Sequence, residues 1–206
     1  MMFPDKPYAD AKNYAVDYLA ALSEAACAID VKAFGRAADL IVATIAADRT
    51  IFACGNGGSA AISNHLLCDF AKGIQTDTGI RPKIVSLSSH VELITAIGND
   101  ISFEDIYLYQ IRTAARAGDA LLTISSSGNS ENVVRAVAWA RTNRMRTIAL
   151  TGFDGGRSAG LADVNIHVPA RNYGVVEDLH QSVMHILAQY TRLRNMIGAD
   201  VLSTQF

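Results

Sequence analysis

Apolar residues recur at helical spacing through Tyr8 to Ala47 (Tyr14, Tyr18, Leu19 and Leu22, then Phe34, Ala37, Leu40 and Ile41), which predicts two helices in an Ala-rich stretch. The pattern then changes to short apolar runs bounded by turn residues, at Thr50 to Cys54, Lys83 to Leu87, Ala120 to Ser125 and Arg146 to Thr151, with a weaker run at Val164 to Val168. These runs predict strands, and helical patterns such as Asn129 to Asn143 separate most of them. Strands alternating with helices predict parallel pairing through right-handed crossovers, hence an α/β three-layer sandwich around a mainly parallel, doubly wound sheet. Ligands of such sheets sit at the carboxyl ends of the strands, where the strand order reverses. A long final helix, Val175 to Arg194, closes the chain. No repeat, linker or low-complexity stretch divides it, so 206 residues read as one domain, a helical segment 1–48 followed by an α/β core 49–206.

Composition narrows the classes of function. Half the residues are hydrophobic and 18% are charged, as in a chain that folds by itself. A net charge of -2 and the lack of a Lys/Arg cluster argue against a nucleic-acid partner. The polar start, MMFPDKPYADAKNY, and the absence of an apolar run near 18 residues argue against export and membrane insertion, so the cytoplasm is the expected compartment. Cys27, Cys54 and Cys68 cannot all pair and lack metal-binding CxxC spacing, so buried thiols are expected.

Two strand-to-helix junctions carry the candidate chemistry. The first, Cys54-Gly55-Asn56-Gly57-Gly58-Ser59, follows an apolar strand and opens a helix expected to run to about Ala71. Glycines let backbone N–H groups approach a ligand, and a helix start adds unpaired donors and the positive end of its dipole, so the loop favours an anion. Its Gly55-x-Gly57-x-x-Ala60 spacing also satisfies a dinucleotide fingerprint, with Asp77 near the distance of the ribose-binding acid but in a polar loop. No GxxxxGK[ST] phosphate loop is present. The second junction, Ser125-Ser126-Ser127-Gly128-Asn129-Ser130, repeats the plan with hydroxyls, which donate to phosphate oxygens without adding charge. Ser130 or Asn129 as a helix cap explains one polar residue there, not four hydroxyls around a glycine.

With GNGGSAA, TAIGND (Thr95 to Asp100), GDALLTISSSGNSENVVRA and ALTGFDGG (Ala149 to Gly156), the chain resembles sugar isomerase (SIS) domains over nearly its whole length, and within them is most similar to bacterial phosphoheptose isomerases. The resemblance implies a flavodoxin-like sandwich, a homotetramer with active sites shared between subunits, and a phosphorylated sugar as ligand. By it Asn56, Ser59, Ser125, Ser126, Ser127 and Ser130, with the backbone of Gly57 and Gly58, contact the substrate, chiefly its phosphate.

An aldose-ketose isomerase needs a base over one carbon and an acid near the neighbouring oxygens. His65 and Asp69 stand at i and i+4, and Glu177, Gln181 and His185 recur every fourth residue on the last helix, while His180 points elsewhere. The family positions matching His65, Asp69, Glu177 and His185 carry His, Glu, Gln and His, and in several members surround zinc. The resemblance thus implies His65, Asp69, Glu177 and His185 as possible zinc ligands, Asp69 as base and His185 as acid. Four departures stand out: Asp69 is one methylene shorter than Glu, Glu177 replaces an amide, His90 replaces an acid, and Gly174 replaces an Asp. The expected activity is isomerisation of sedoheptulose 7-phosphate or a related ketose phosphate through an enediol. The alternatives are a non-catalytic SIS module acting through a protein partner, as in replication-initiator-associating proteins, and a nicotinamide-dependent dehydrogenase.

Overall fold

Helices α1 (Ala11–Cys27) and α2 (Val31–Ala46) form where the N-terminal periodicity puts them. Each starts on an aspartate whose carboxylate accepts a first-turn N–H, Asp10 from Asn13 at 2.8 Å and Asp30 from Lys32 at 3.0 Å. The five apolar runs form β1 (Thr50–Gly55), β2 (Lys83–Ser86), β3 (Ala120–Ser125), β4 (Arg146–Thr151) and β5 (Val164–His167) in this computed structural model, which describes residues 2–198 and 201–206. Between and after them come α3 (Gly58–Cys68), α4 (Val91–Asp100), α5 (Ile106–Ala114), α6 (Glu131–Thr142), α7 (Gly156–Leu161) and α8 (Tyr173–Asn195).

The sheet is wholly parallel, in the order β2-β1-β3-β4-β5. From β1 the chain steps outward to β2, then returns to lay β3 on the other flank of β1, so the order reverses between β1 and β3. Cys54 pairs with Thr123 and Gly55 with Ile124, which brings the loops leaving both strands side by side at the carboxyl edge.

Both faces of the sheet are covered, which is why the strands read as nearly unbroken apolar runs. Ile51, Ala53, Leu122, Ile124 and Leu150 share one core with Ala33 and Ile41 of α2, Ile62 and Leu66 of α3, and Val176, Val183 and Leu187 of α8. Phe52, Cys54 and Leu121 alternate to the other face and pack against Ile106, Tyr107 and Ile111 of α5 and Val133 and Val137 of α6. Burying α3 and α8 in one core fixes the rotation of each about its axis, and so the face each presents at the carboxyl edge.

Two expectations are corrected. The helix after β1 does not run as α-helix to Ala71: it changes at Asp69 to a π-helix, Asp69–Ile74. Phe70 and Ile74 are both fully buried across this stretch. Of the three cysteines only Cys54 is buried; Cys27 and Cys68 are exposed thiols.

His180 lies on the sheet side of α8 with none of its surface exposed, and neither ring nitrogen has a hydrogen bond of acceptable geometry. Burial lowers its pKa from 6.5 to about 4, with a smaller opposing pull from the backbone at Thr151. The unfolded chain therefore takes up a proton near pH 6.5 that the folded chain refuses until about pH 4. Stability is expected to fall as pH drops through that window, by up to about 3 kcal/mol. Urea unfolding between pH 8 and pH 4 measures the slope, and His180→Leu is expected to flatten it; an equal slope in the variant assigns the acid sensitivity to other groups.

Candidate functional site

Helices α3 and α6 both leave the reversal point without a side-chain cap. Ser130 precedes α6, yet its hydroxyl makes no capping bond, and the Asn129 side chain accepts from the backbone N–H of Arg157 at 3.0 Å instead. The leading N–H groups and dipoles of both helices thus stay open to an anion. Within the serine loop, Ser125 and Ser127 each accept a backbone N–H at 3.2 Å, from Gly128 and Asn129, which leaves their O–H groups to donate elsewhere. The Ser126 hydroxyl is buried without a hydrogen-bond partner. Unspent donors of this kind suit a ligand that only accepts, as a phosphate does.

Asn56, Ser59, Ser125, Ser126, Ser127 and Ser130 line a cleft of about 110 Å³, joined by Tyr173 and Glu177 from the start of α8. A larger hollow of about 360 Å³ between α2, the 79–81 segment and the end of α8 gathers none of the expected site residues. We place the site in the smaller cleft because the open helix starts and free hydroxyls converge there.

A buried network binds the two loops to each other. The amides of Asn56 and Asn132 exchange hydrogen bonds at 2.9 and 3.0 Å, and the Tyr107 hydroxyl lies 3.0 Å from Asn56 Oδ1 and 2.5 Å from the carbonyl oxygen of Gly55. Ser88 adds a bond from its hydroxyl to the same carbonyl and accepts the Gly55 N–H. Asn56 therefore spends its side chain on holding the cleft's shape. Burial pushes the Tyr107 phenol up to about 12, so it stays a neutral donor.

The carboxylate and imidazoles gather further along the α3–α8 pair. His65 Nε2 lies 3.3 Å from Asp69 Oδ1, and His185 Nε2 lies 3.7 Å from Asp69 Oδ2. Ligand atoms of these three residues all lie within 4.8 Å of one another. Glu177, expected with them, stands outside this group: its carboxylate lies over Gly58, where a side chain at that position would be, beside the serine cleft. Burial, then the charge of Asp178, raises the Glu177 pKa. The side chain found between the two histidines is Gln181, 2.6 Å from His185 Nε2 and 3.4 Å from His65 Nδ1.

The SIS domain family model matches residues 14–152, about two-thirds of the chain. The chain belongs to the SIS domain family. It is 39% identical over 161 residues to the phosphoheptose isomerase of Escherichia fergusonii, covering 78% of this chain and 83% of that one. It is 40% identical over 148 residues to that of Nitratidesulfovibrio vulgaris, covering 72% and 71%. The solved phosphoheptose isomerase of Neisseria gonorrhoeae superposes with a TM-score of 0.80 at 34% identity, covering 88% of this chain and 96% of that one.

Within this SIS fold the remaining departures acquire surroundings. A side chain on Gly174 would meet the Tyr18 hydroxyl at 2.9 Å, and that hydroxyl donates to Asp178 at 2.5 Å, so α1 braces the first turns of α8. His90 is exposed ahead of α4 and caps nothing. Asp77 belongs to the turn before β2 and pairs with Arg192 at 2.6 Å, away from the strand end where a ribose-binding acid would stand. Tyr107, Asn132 and Tyr173 were not anticipated, and the sequence places Gln181 only on the polar stripe of α8, without a role; Asn132 sits in the serine-loop motif, whereas Tyr107 leaves no local signal.

Two substitutions separate loop shape from ligand contact. Ser130→Ala is expected to cost less than the ~1 kcal/mol typical of a lost cap while weakening inorganic phosphate binding, read by denaturant unfolding and calorimetry. Asn132→Leu strands the Asn56 amide and is expected to cost about 1–3 kcal/mol of stability as well as phosphate affinity.

Proposed function

We propose that the protein is a phosphosugar isomerase that interconverts sedoheptulose 7-phosphate, or a closely related ketose phosphate, with its aldose through an enediol. The observation that carries this reading is the juxtaposition of two uncapped helix starts and free serine hydroxyls with a carboxylate–imidazole group on the adjoining faces of α3 and α8. The name shared by the relatives above supports the heptose phosphate as substrate.

In this reading Ser59, Ser125, Ser126, Ser127 and Ser130, with backbone N–H groups of Gly57 and Gly58, hold the phosphate and so fix where the sugar chain can lie. Asp69 removes a proton from C1 of the ketose; the C–H electron pair becomes the C1–C2 double bond as the carbonyl oxygen on C2 takes a proton from His185. Return of the proton from Asp69 to C2, with loss of the proton on the C1 oxygen to His185, leaves the aldose and restores both groups. Asp69 faces both histidines, an arrangement that keeps its carboxylate oriented toward the imidazoles.

His65, Asp69 and His185 also suit a divalent cation: two imidazoles and a carboxylate make up the three-ligand set of catalytic zinc sites. When bound, zinc would polarise the sugar's carbonyl and hydroxyl oxygens.

We read the chain as assembling into a homotetramer with shared active sites. Val16 and Leu19 on α1, Val91 and Leu93 on α4, and Ile186 and Tyr190 on α8 are exposed apolar residues that a neighbouring subunit would cover. Among the described residues no helix is long and apolar enough to cross a membrane, and exposed thiols at Cys27 and Cys68 suit the reducing cytoplasm we propose for it.

Turnover of sedoheptulose 7-phosphate, followed by NMR alongside a panel of ketose phosphates, tests the activity directly. Asp69→Asn is expected to lower kcat by about a thousand-fold, the scale of a lost general base. Absence of turnover on every sugar, with and without added zinc, would sink the proposal, and capture of a stoichiometric protein partner in its place would support the non-catalytic alternative. Light scattering at four times the chain mass is the expected assembly result.

A further inference from the structure

We infer that the carboxamide of Gln181 is the fourth protein group of the His65, Asp69 and His185 set and supplies its oxygen to the divalent cation held there. The inference rests on the cation reading above. Gln181 precedes His185 by one turn on the same face of α8, and its amide nitrogen lies 2.6 Å from His185 Nε2 and 3.4 Å from His65 Nδ1. A single neutral side chain thus touches both rings of the group. Glu177, a further turn back, is directed to Gly58 and the serine cleft, so the part of α8 that meets the histidines offers an amide and not a second carboxylate.

An amide N–H this close to His185 Nε2 needs the lone pair of that nitrogen, the same lone pair a cation would take. The nitrogen and oxygen of a carboxamide exchange places by a half-turn about the last side-chain bond, without moving the helix or the rest of the side chain. One orientation keeps the imidazole lone pair engaged; the other turns an oxygen toward the same point. A neutral oxygen adds a ligand without adding charge, so a dication with Asp69 alone keeps a net positive charge and with it the power to polarise a sugar oxygen.

Zinc titrated calorimetrically into chelator-stripped protein tests this independently of turnover. The wild type is expected to bind one zinc per chain. Gln181→Leu is expected to weaken binding by about ten-fold or more, while Gln181→Glu binds at least as tightly as the wild type. Glu177→Leu is expected to change zinc affinity by less than about two-fold, since Glu177 is not a ligand. Equal melting temperatures of the stripped proteins show that the fold is unchanged; should Gln181→Leu fail to fold, Gln181→Glu decides, and weaker binding by it overturns the inference. Zinc binding by Gln181→Leu as tight as the wild type, or tighter, overturns it with the cation reading intact, and loss of zinc in Glu177→Leu alone assigns the fourth position to Glu177. A wild type that takes up no zinc removes the cation reading and this inference together.

Discussion

The paired amides of Asn56 and Asn132 set the geometry on which the cleft depends. They join two loops that come from different strands and are 76 residues apart in sequence. Each amide donates to and accepts from the other, and the Tyr107 hydroxyl of α5 donates to Asn56 Oδ1. Among the described residues lining the cleft there is no side-chain cation, so phosphate affinity comes from many modest donors acting at once, and their mutual spacing matters more than the strength of any one. A largely buried, mutually paired polar network restricts that spacing, because shifting either loop would strand polar atoms away from water.

A second constraint comes from the core. Ile62 and Leu66 of α3 pack in the same cluster as Val176, Val183 and Leu187 of α8. Once those apolar faces are buried, the polar faces left over must meet, and His65 and Asp69 are set against Gln181 and His185 with no further device. The phosphate cleft and the carboxylate–imidazole group are two results of one packing decision: α8 contributes Tyr173 and Glu177 to the first and Gln181 and His185 to the second.

Much of this was legible in the sequence because it is local. Strands buried on both faces announce themselves as apolar runs, and an apolar strand leading into glycines or serines marks a ligand loop wherever the sheet reverses. What the sequence hid was non-local. Glu177 and Gln181 share one face of α8 and are equivalent by periodicity; only the packed structure shows one lying over Gly58 at the cleft and the other between the histidines. Tyr107 reads as a core aromatic on an amphipathic helix, and its hydroxyl gains meaning only once β1 is beside it. The change of winding at Asp69 likewise has no residue signature.

That change of winding has a genetic counterpart. A π-helix turn carries one residue more than the α-helix it replaces, so Asp69–Ile74 has the form of a one-codon insertion absorbed within a helix. Deleting one codon there would let the helix relax to α-winding while the segments on either side keep their register. A change of one residue in length is therefore taken up where it occurs, and the helix packing on either side of it is left in place.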